Sequence, residues 1–251
     1  MVYVQQSRIT SCFSVNMDTK NSPRPNGIGT LQETSLHAGL KDWYAQPGDV
    51  LEAKVDGYII DILREDLLVE IQTRNFSALK RKLTRLAEKH PIRLVYPLTR
   101  EKWILYQETN GGPVLRRRKS PRHAELPDVF IELVRLPELA THANFSLEVL
   151  FTHEEELRRK DGRGSWRRKG WSIFDRKLLA VVDRRLFSSP ADYAALLPEG
   201  LPAVFTSADL AERLGKPRYL AQKMVYCLRK MELLSITGKT GNSIIYERGQ
   251  L

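Results

Sequence analysis

Cysteine is scarce in this sequence, with Cys12 and Cys227 as the two thiols among 251 residues. Two distant cysteines argue against a disulfide framework and a thiolate zinc site, and they favour a reducing compartment. Long apolar runs are missing as well, since no stretch approaches the roughly 20 residues that cross a bilayer. The first ten residues lack the charged start and apolar stretch of a secretory signal. The sequence therefore predicts a cytoplasmic protein with no membrane association.

Acidic residues are in the minority, because 30 Asp and Glu face 40 Lys and Arg, for a formal net charge of +10. Such a surplus attracts polyanions, nucleic acid first. The charge is concentrated: residues 116–122 hold five basic residues and no acid, and residues 157–176 hold eight basic residues against two acids. A single basic run is often only a solvated surface, but two runs favour salt-dependent contacts with phosphate. The candidates for these contacts are Arg116, Arg117, Arg118, Arg167 and Arg168.

The first part of the chain is typical of an α/β unit that follows a short leader. Residues 1–27 end in turn-forming residues and predict a flexible leader. Residues 28–109 show a helix that begins at Thr30, three short strands, a helix capped by Asn75, and two strands between residues 92 and 106. The predicted fold class is therefore α/β, with a mixed sheet flanked by helices.

The second part of the chain has a different pattern. Residues 110–172 are interpreted as a basic linker or extension, in which residues 129–134 and 145–151 have strand-like sequences. From Ile173 onward apolar residues recur at helical spacing. The order helix, short helix, turn, helix and hairpin over residues 173–251 predicts a C-terminal winged helix.

The three-strand region carries a pair of carboxylates. Asp61 and Glu70 lie on neighbouring strand-like runs, and a connecting turn of even length would place them opposite each other. Facing carboxylates repel unless a cation lies between them, and Mg²⁺ is usually held by one or two carboxylates plus water and phosphate oxygens. The pair therefore predicts metal-assisted phosphodiester hydrolysis. The alternative is that both residues are exposed acids at the edge of a sheet.

The same residues resemble a known family. Asp61, followed by residues 70–72 (Glu-Ile-Gln) on the next strand and preceded by Glu33 on a helix, resembles the restriction-endonuclease-like (PD-(D/E)XK) nuclease superfamily over residues 28–107. The resemblance implies a mixed sheet flanked by helices, with Asp61 and Glu70 holding Mg²⁺ or Mn²⁺ and Glu33 as an auxiliary acid. Glu33 also fits the N3 position of a helix capping box. His37, one turn later, is interpreted as lying outside the site.

The sequence departs from the motif of this family in two places. Ile60 replaces the usual proline, and Gln72 replaces the lysine that carries a positive charge. Some members of the family supply that lysine from a neighbouring helix, and the candidates here are Lys80 and Lys82. Gln72 also fits the polar end of an ordinary strand.

The last predicted helix carries basic residues beside its apolar stripe. These are Arg218, Lys223, Arg229 and Lys230, and Lys239 lies in the hairpin that follows. In a major groove they would contact base edges and phosphates. The alternative is a protein-interaction module, which winged helices also form.

These features predict a metal-dependent nuclease that docks on double-stranded DNA through a winged helix, in repair or defence. Its predicted catalytic residues are Glu33, Asp61, Glu70, Gln72 and Lys80. The alternative, which Gln72 keeps open, is a catalytically inactive DNA-binding regulator built on a nuclease-like fold. A third and weaker candidate is a scaffold that binds protein through both halves, and a homodimer or a protein partner also stays open.

Overall fold

The computed structural model describes residues 35–108, 112–162 and 164–249. Seven strands of these residues form one sheet in the order β1-β2-β3-β4-β6-β7, with β5 paired to β4. Their bounds are β1 Val50–Val55, β2 Tyr58–Arg64, β3 Leu67–Ile71, β4 Ile92–Gln107, β5 Val114–Lys119, β6 Phe145–Arg159 and β7 Ser172–Phe187. The pairs β3–β4 and β4–β6 are parallel and the other pairs are antiparallel. The predicted mixed α/β sheet is confirmed.

Helices cover the two faces of this sheet. Helix α1 (Ser35–Tyr44) buries Leu36 and Leu40 in one apolar cluster, and helix α2 (Lys80–Ala87) buries Leu83 in another. The capping box predicted at Thr30 and Glu33 lies outside the described residues. The capping role predicted for Asn75 is wrong, because this residue has a left-handed backbone and its side chain makes no capping hydrogen bond.

The first three strands form the predicted meander. Asp56 and Gly57, with φ of 48° and 81°, make the turn between β1 and β2, and such a pair of positive φ values matches the twist of a hairpin. Residues 65–66 make the next turn, and β2 then pairs with β3 from Arg64↔Leu67 to Ile62↔Val69. Asp61 and Glu70 therefore lie on adjacent antiparallel strands, as predicted.

The helix predicted from Ile173 is wrong, because these residues form strand β7 along the edge of the sheet. Strand β7 pairs with β6 from Arg159↔Ser172 to Leu147↔Phe187, and the register shifts at three places on the way. Each shift resets the two-residue alternation of a strand. The apolar positions therefore fall at intervals that mimic a helix.

The strand predicted over residues 129–134 is also wrong. This segment forms helix α3 (Phe130–Leu133), which follows a 3-10 turn over Leu126–Val129. Asp128 accepts a hydrogen bond from the backbone of Glu125 at 2.9 Å, which starts the turn, and Pro127 fits the first helical positions. The two strands predicted within residues 110–172 thus become α3 and the beginning of β6.

The C-terminal residues form a smaller sheet with three helices. These are α4 (Pro190–Ala194), α5 (Ser207–Leu214) and α6 (Arg218–Lys230), and the sheet order is β8-β10-β9, from β8 (Val204–Thr206), β9 (Leu234–Thr240) and β10 (Ser243–Arg248). Thr206 and Asp209 form a capping box at the start of α5, and Gly215 ends this helix with φ of 59°. Both features are local signals in the sequence, a threonine three residues before an aspartate and a glycine after the last helical turn.

One apolar cluster joins the two sheets. It includes Leu94 and Val149 of the larger sheet, Phe130 of α3, and Met224 and Leu228 of α6. Residues 33–251 accordingly group as one compact unit. None of the helices in the described ranges has the length and apolar character needed to cross a membrane.

Candidate active site

The two predicted carboxylates meet where β2 and β3 separate. Continuing the register Ile62↔Val69 by one residue brings Asp61 opposite Glu70. The Glu70 side chain is 9% exposed and that of Asp61 is 17% exposed. The alternative of two exposed edge acids does not fit this burial. Charges withdrawn from water in this way need compensation from neighbouring groups.

Asp61 is held by a histidine and a backbone amide. His37 on α1 has its Nε2 atom 3.2 Å from Oδ1 of Asp61, and the amide of Ile71 donates to Oδ2 at 2.8 Å. Burial would raise the pKa of Asp61, but these hydrogen bonds and the nearby positive charges hold it below its usual value. The interpretation that placed His37 outside the site is wrong.

The pKa of Glu70 is shifted upward, opposite to that of Asp61. Burial, and after it the negative charge of Asp61, raise the pKa of Glu70 to about 7. Its Oε1 atom accepts a hydrogen bond from Nζ of Lys82 at 2.6 Å. Its Oε2 atom is buried and has no hydrogen-bond partner among the described residues. A buried oxygen without a partner costs free energy, which a cation would recover.

Lys82 on α2 is the cation of the site. Besides Glu70, its Nζ atom contacts the carbonyl oxygen of Ile59 at 2.5 Å, so it bridges β2 and β3. Lys80, the predicted catalytic lysine, is exposed, and its Nζ atom lies 3.9 Å from Glu138. The Gln72 side chain donates to the carbonyl oxygen of Asn75 at 3.2 Å. Glu33 lies outside the described residues.

The donor set fits a hard divalent cation only in part. Among the described residues, no group of three or more His, Cys, Asp or Glu side chains is arranged to hold a metal. Mg²⁺, however, takes one or two carboxylates and completes its shell with water and phosphate oxygens. Asp61 and Glu70 supply that pair, and Oε2 of Glu70 is the buried oxygen that such an ion would satisfy.

The predicted phosphate-contacting arginines of the middle segment lie on β5 and in the loop after β6. Arg117 is paired with Glu155 at 3.1 Å and stacks over Trp103. Arg116 and Arg118 point to the other face of the same strand, since successive strand residues alternate. Arg167 and Arg168 lie in a short 3-10 turn over Trp166–Arg168. The two basic runs therefore come together in space.

The basic residues of α6 divide into two groups. Lys223 donates to the carbonyl oxygen of Ile131 on α3 at 3.3 Å, and Lys230 lies 3.6 Å from Glu138. These two side chains are directed to neighbouring segments of the protein. Arg218 and Arg229 are exposed on the helix, as is Lys239 on β9.

The chain is similar to known proteins over the part that contains the larger sheet. Residues 34–188 match a family model described as "Domain of unknown function (DUF8091)". An uncharacterized protein of Treponema pallidum (strain Nichols) is 34% identical over 186 residues, which is 74% of this chain and 74% of that protein. No solved structure matches. The family match spans all seven strands of the larger sheet and the carboxylate pair.

Proposed function

The chain belongs to the DUF8091 family, and we propose that it is a metal-dependent nuclease acting on DNA in the cytoplasm. The observation that carries the proposal is the pair of half-buried Asp61 and buried Glu70, with Lys82 at 2.6 Å from Glu70. Two neighbouring acids, with a lysine in contact with one of them, are groups that phosphodiester hydrolysis uses. They can hold a divalent ion and face the negative charge of a phosphate.

The surroundings of the pair support a restriction-endonuclease-like fold for this unit. The acids lie on two adjacent antiparallel strands, and the second of these strands pairs in parallel with β4. One helix packs on each face, so α1 delivers His37 and α2 delivers Lys82. In this proposal Lys82 takes the place of the lysine that Gln72 replaces.

Each side chain then has a role that follows from its contacts. A bound Mg²⁺ or Mn²⁺ would activate a water molecule and neutralise charge on the phosphate. Asp61, kept ionised by His37 and the Ile71 amide, provides a permanent negative charge. Glu70 would hold the ion as a carboxylate and release its proton to solvent, which its pKa of about 7 permits near neutral pH. Lys82 directs its ammonium group to the same place and would orient the scissile phosphate.

The C-terminal unit supports docking on duplex DNA through a winged helix. The order α4, β8, α5, α6, β9, β10, with β8 beside β10, is the order of elements in that motif. The exposed side chains of α6 follow a helical stripe of Arg218, Gln222, Tyr226 and Arg229. This stripe presents two arginines and an amide, groups that read base edges and phosphates.

The second candidate is a DNA-binding regulator that does not cleave. The observation that favours it is Gln72, whose side chain is hydrogen-bonded to Asn75 and adds no positive charge to the acids. In that case Lys82 neutralises Glu70 as an ordinary buried ion pair. Salt-dependent duplex binding without cleavage would identify this candidate.

Cleavage of DNA in Mg²⁺, in Mn²⁺ and in EDTA tests the proposal. We expect the wild type to cut with either metal and not in EDTA, and Asp61→Asn or Glu70→Gln to slow cleavage by about 100-fold or more. The matched control is Asp66→Asn, an exposed acid in the turn between the same two strands. Cleavage by Asp61→Asn at the wild-type rate would contradict the proposal.

A further inference from the structure

Four strands of the larger sheet continue well past the end of β3. Strand β3 stops pairing at Ile71↔Val95, whereas β4 pairs with β6 as far as Gln107↔Arg159. We call this part, made of residues 99–107, 114–119, 152–159 and 172–181, the sheet extension. Its tip at Gln107 lies thirteen residues along β4 from Leu94, the partner of Glu70, which is at most about 45 Å.

A basic pocket lies on one face of the sheet extension. Its volume is about 450 Å³, and six of its nine lining residues are Arg or Lys while none is acidic. Arg158 is paired with Glu156 at 2.6 Å. The other five cations have no ion-pair partner within the described residues, and these are Arg116, Arg118, Arg167, Arg168 and Lys169. Uncompensated positive charge in a concave site attracts phosphate.

Two aromatic side chains line the same pocket. Tyr106 and Trp171 meet edge to face at 4.8 Å inside the pocket. Burial would raise the pKa of Tyr106, but a hydrogen bond with Arg118 and the charge of Arg158 hold it below its usual value. The positive potential of the pocket therefore already acts on a neighbouring group.

Trp166 stands apart from this packing. Its side chain is 83% exposed, and the guanidinium group of Arg167 lies 5.5 Å from the centre of its ring. Trp171 packs within the sheet extension, whereas Trp166 offers a free aromatic face.

The loop that carries Trp166 is closed on itself. A Cβ atom on Gly164 would lie 2.0 Å from the backbone carbonyl of Gly170, so only glycine permits this approach. Backbone hydrogen bonds from Lys169 to Trp166 and from Trp171 to Arg168 complete the loop, at 2.9 Å and 3.1 Å. The backbone that carries Trp166 and the basic residues beside it is thus held by its own contacts.

We propose that Trp166 and this pocket bind a single-stranded segment of nucleic acid. The pocket takes the phosphates, and Trp166 stacks on a base. A single strand fits because its bases are free to stack on an indole, whereas the bases of a duplex are already stacked on one another. The proposal rests on the proposed nuclease function and narrows its substrate to DNA with a single-stranded tail.

Fluorescence anisotropy of a labelled oligothymidylate in EDTA tests this site without cleavage. Trp166→Ala should weaken binding at least five-fold, whereas Trp166→Phe, which keeps an aromatic face, should stay close to wild type. Arg116→Ala with Arg167→Ala should flatten the log–log salt dependence by about 0.7 for each lost contact. Trp166 is exposed, so its replacement leaves the core intact.

The control is Arg213→Ala, which removes an exposed arginine on α5 beside Asp209 and Glu212 and should leave binding unchanged. Wild-type affinity in Trp166→Ala, or equal competition by a blunt duplex, would overturn the proposal. Because the assay needs no metal, an inactive carboxylate pair does not affect it. Metal-dependent cleavage combined with unaltered Trp166→Ala binding would reject this site alone.

Discussion

Lys82 is the residue whose replacement tests the proposed chemistry best, because its ammonium group is in contact with Glu70. We expect Lys82→Gln to slow metal-dependent cleavage by about 100-fold, the usual cost of losing a group that faces transition-state charge. Lys80→Gln is the matched control on the same helix and should change the rate less than about two-fold. Initial cleavage rates in Mg²⁺ measure both variants.

A double variant tests the catalytic role of Lys82 more specifically. Gln72→Lys in the Lys82→Gln background puts a cation on the strand where the motif usually has it, and should restore part of the rate. Circular dichroism should show that Lys82→Gln stays folded, since Lys82 lowers the pKa of Glu70 and its loss lets this carboxyl take up a proton and become neutral. Full activity of Lys82→Gln would show that this lysine only balances a buried charge.

The acids could be predicted from the sequence, whereas their partners could not. Asp61 and Glu70 follow from two strand-like runs and a short turn. Lys80 lies three residues before buried Leu83, and Lys82 lies four residues before buried Leu86. Each spacing places its lysine on the same helix face as a buried leucine, so the sequence favours neither lysine. The rotation of the packed helix decides which of them reaches the acids.

At the scale of elements, α6 has an exposed face and a face that contacts α3. Arg218→Ala with Arg229→Ala should weaken duplex binding and flatten the log–log salt slope by about 1.8, or 0.9 for each phosphate contact. Lys223→Ala should leave affinity unchanged, because that side chain bonds to Ile131, and should cost about 1 kcal/mol of stability. Anisotropy against salt and thermal unfolding measure these effects.

Two outcomes of these binding measurements would contradict the exposed stripe of α6 as the DNA-binding face. If Lys223→Ala weakens duplex binding more than the arginine pair does, then the exposed stripe of α6 is not the binding face. If neither change affects binding, the C-terminal unit belongs with the protein-interaction modules. The sequence of α6 alone does not show that Lys223 faces α3, because residues 129–134 have a strand-like pattern and their helix forms only in the folded chain.

Elements with local signals were predicted well, and elements fixed by distant pairing were not. The Thr206–Asp209 capping box and the turn at Asp56 each lie within four residues, so the sequence contains them completely. Strand β7 depends on β6 across thirteen to forty residues, and three register shifts disturb its alternation. A pattern of spacing alone cannot locate such shifts, because they arise from the pairing itself.

At the scale of the whole molecule, the charge surplus is distributed over separate surfaces. The exposed stripe of α6, the pocket of the sheet extension and Lys82 beside the carboxylates each contribute to the net charge of +10. A duplex with a single-stranded tail would engage these surfaces together. Within the residues that the structure describes, Oε2 of Glu70 is the buried carboxylate oxygen that lacks a hydrogen-bond partner, and the pair to which it belongs is the centre of the proposed function.

Mn²⁺ titration calorimetry tests the cation site at Asp61 and Glu70 most directly. Because Glu70 has a pKa of about 7 and must lose its proton, affinity should rise about tenfold per pH unit below that value and level off above it. Glu70→Gln should weaken binding and remove this pH dependence, while Asp66→Asn should bind as the wild type does. Equal binding by Glu70→Gln, with the same pH dependence, would contradict the account.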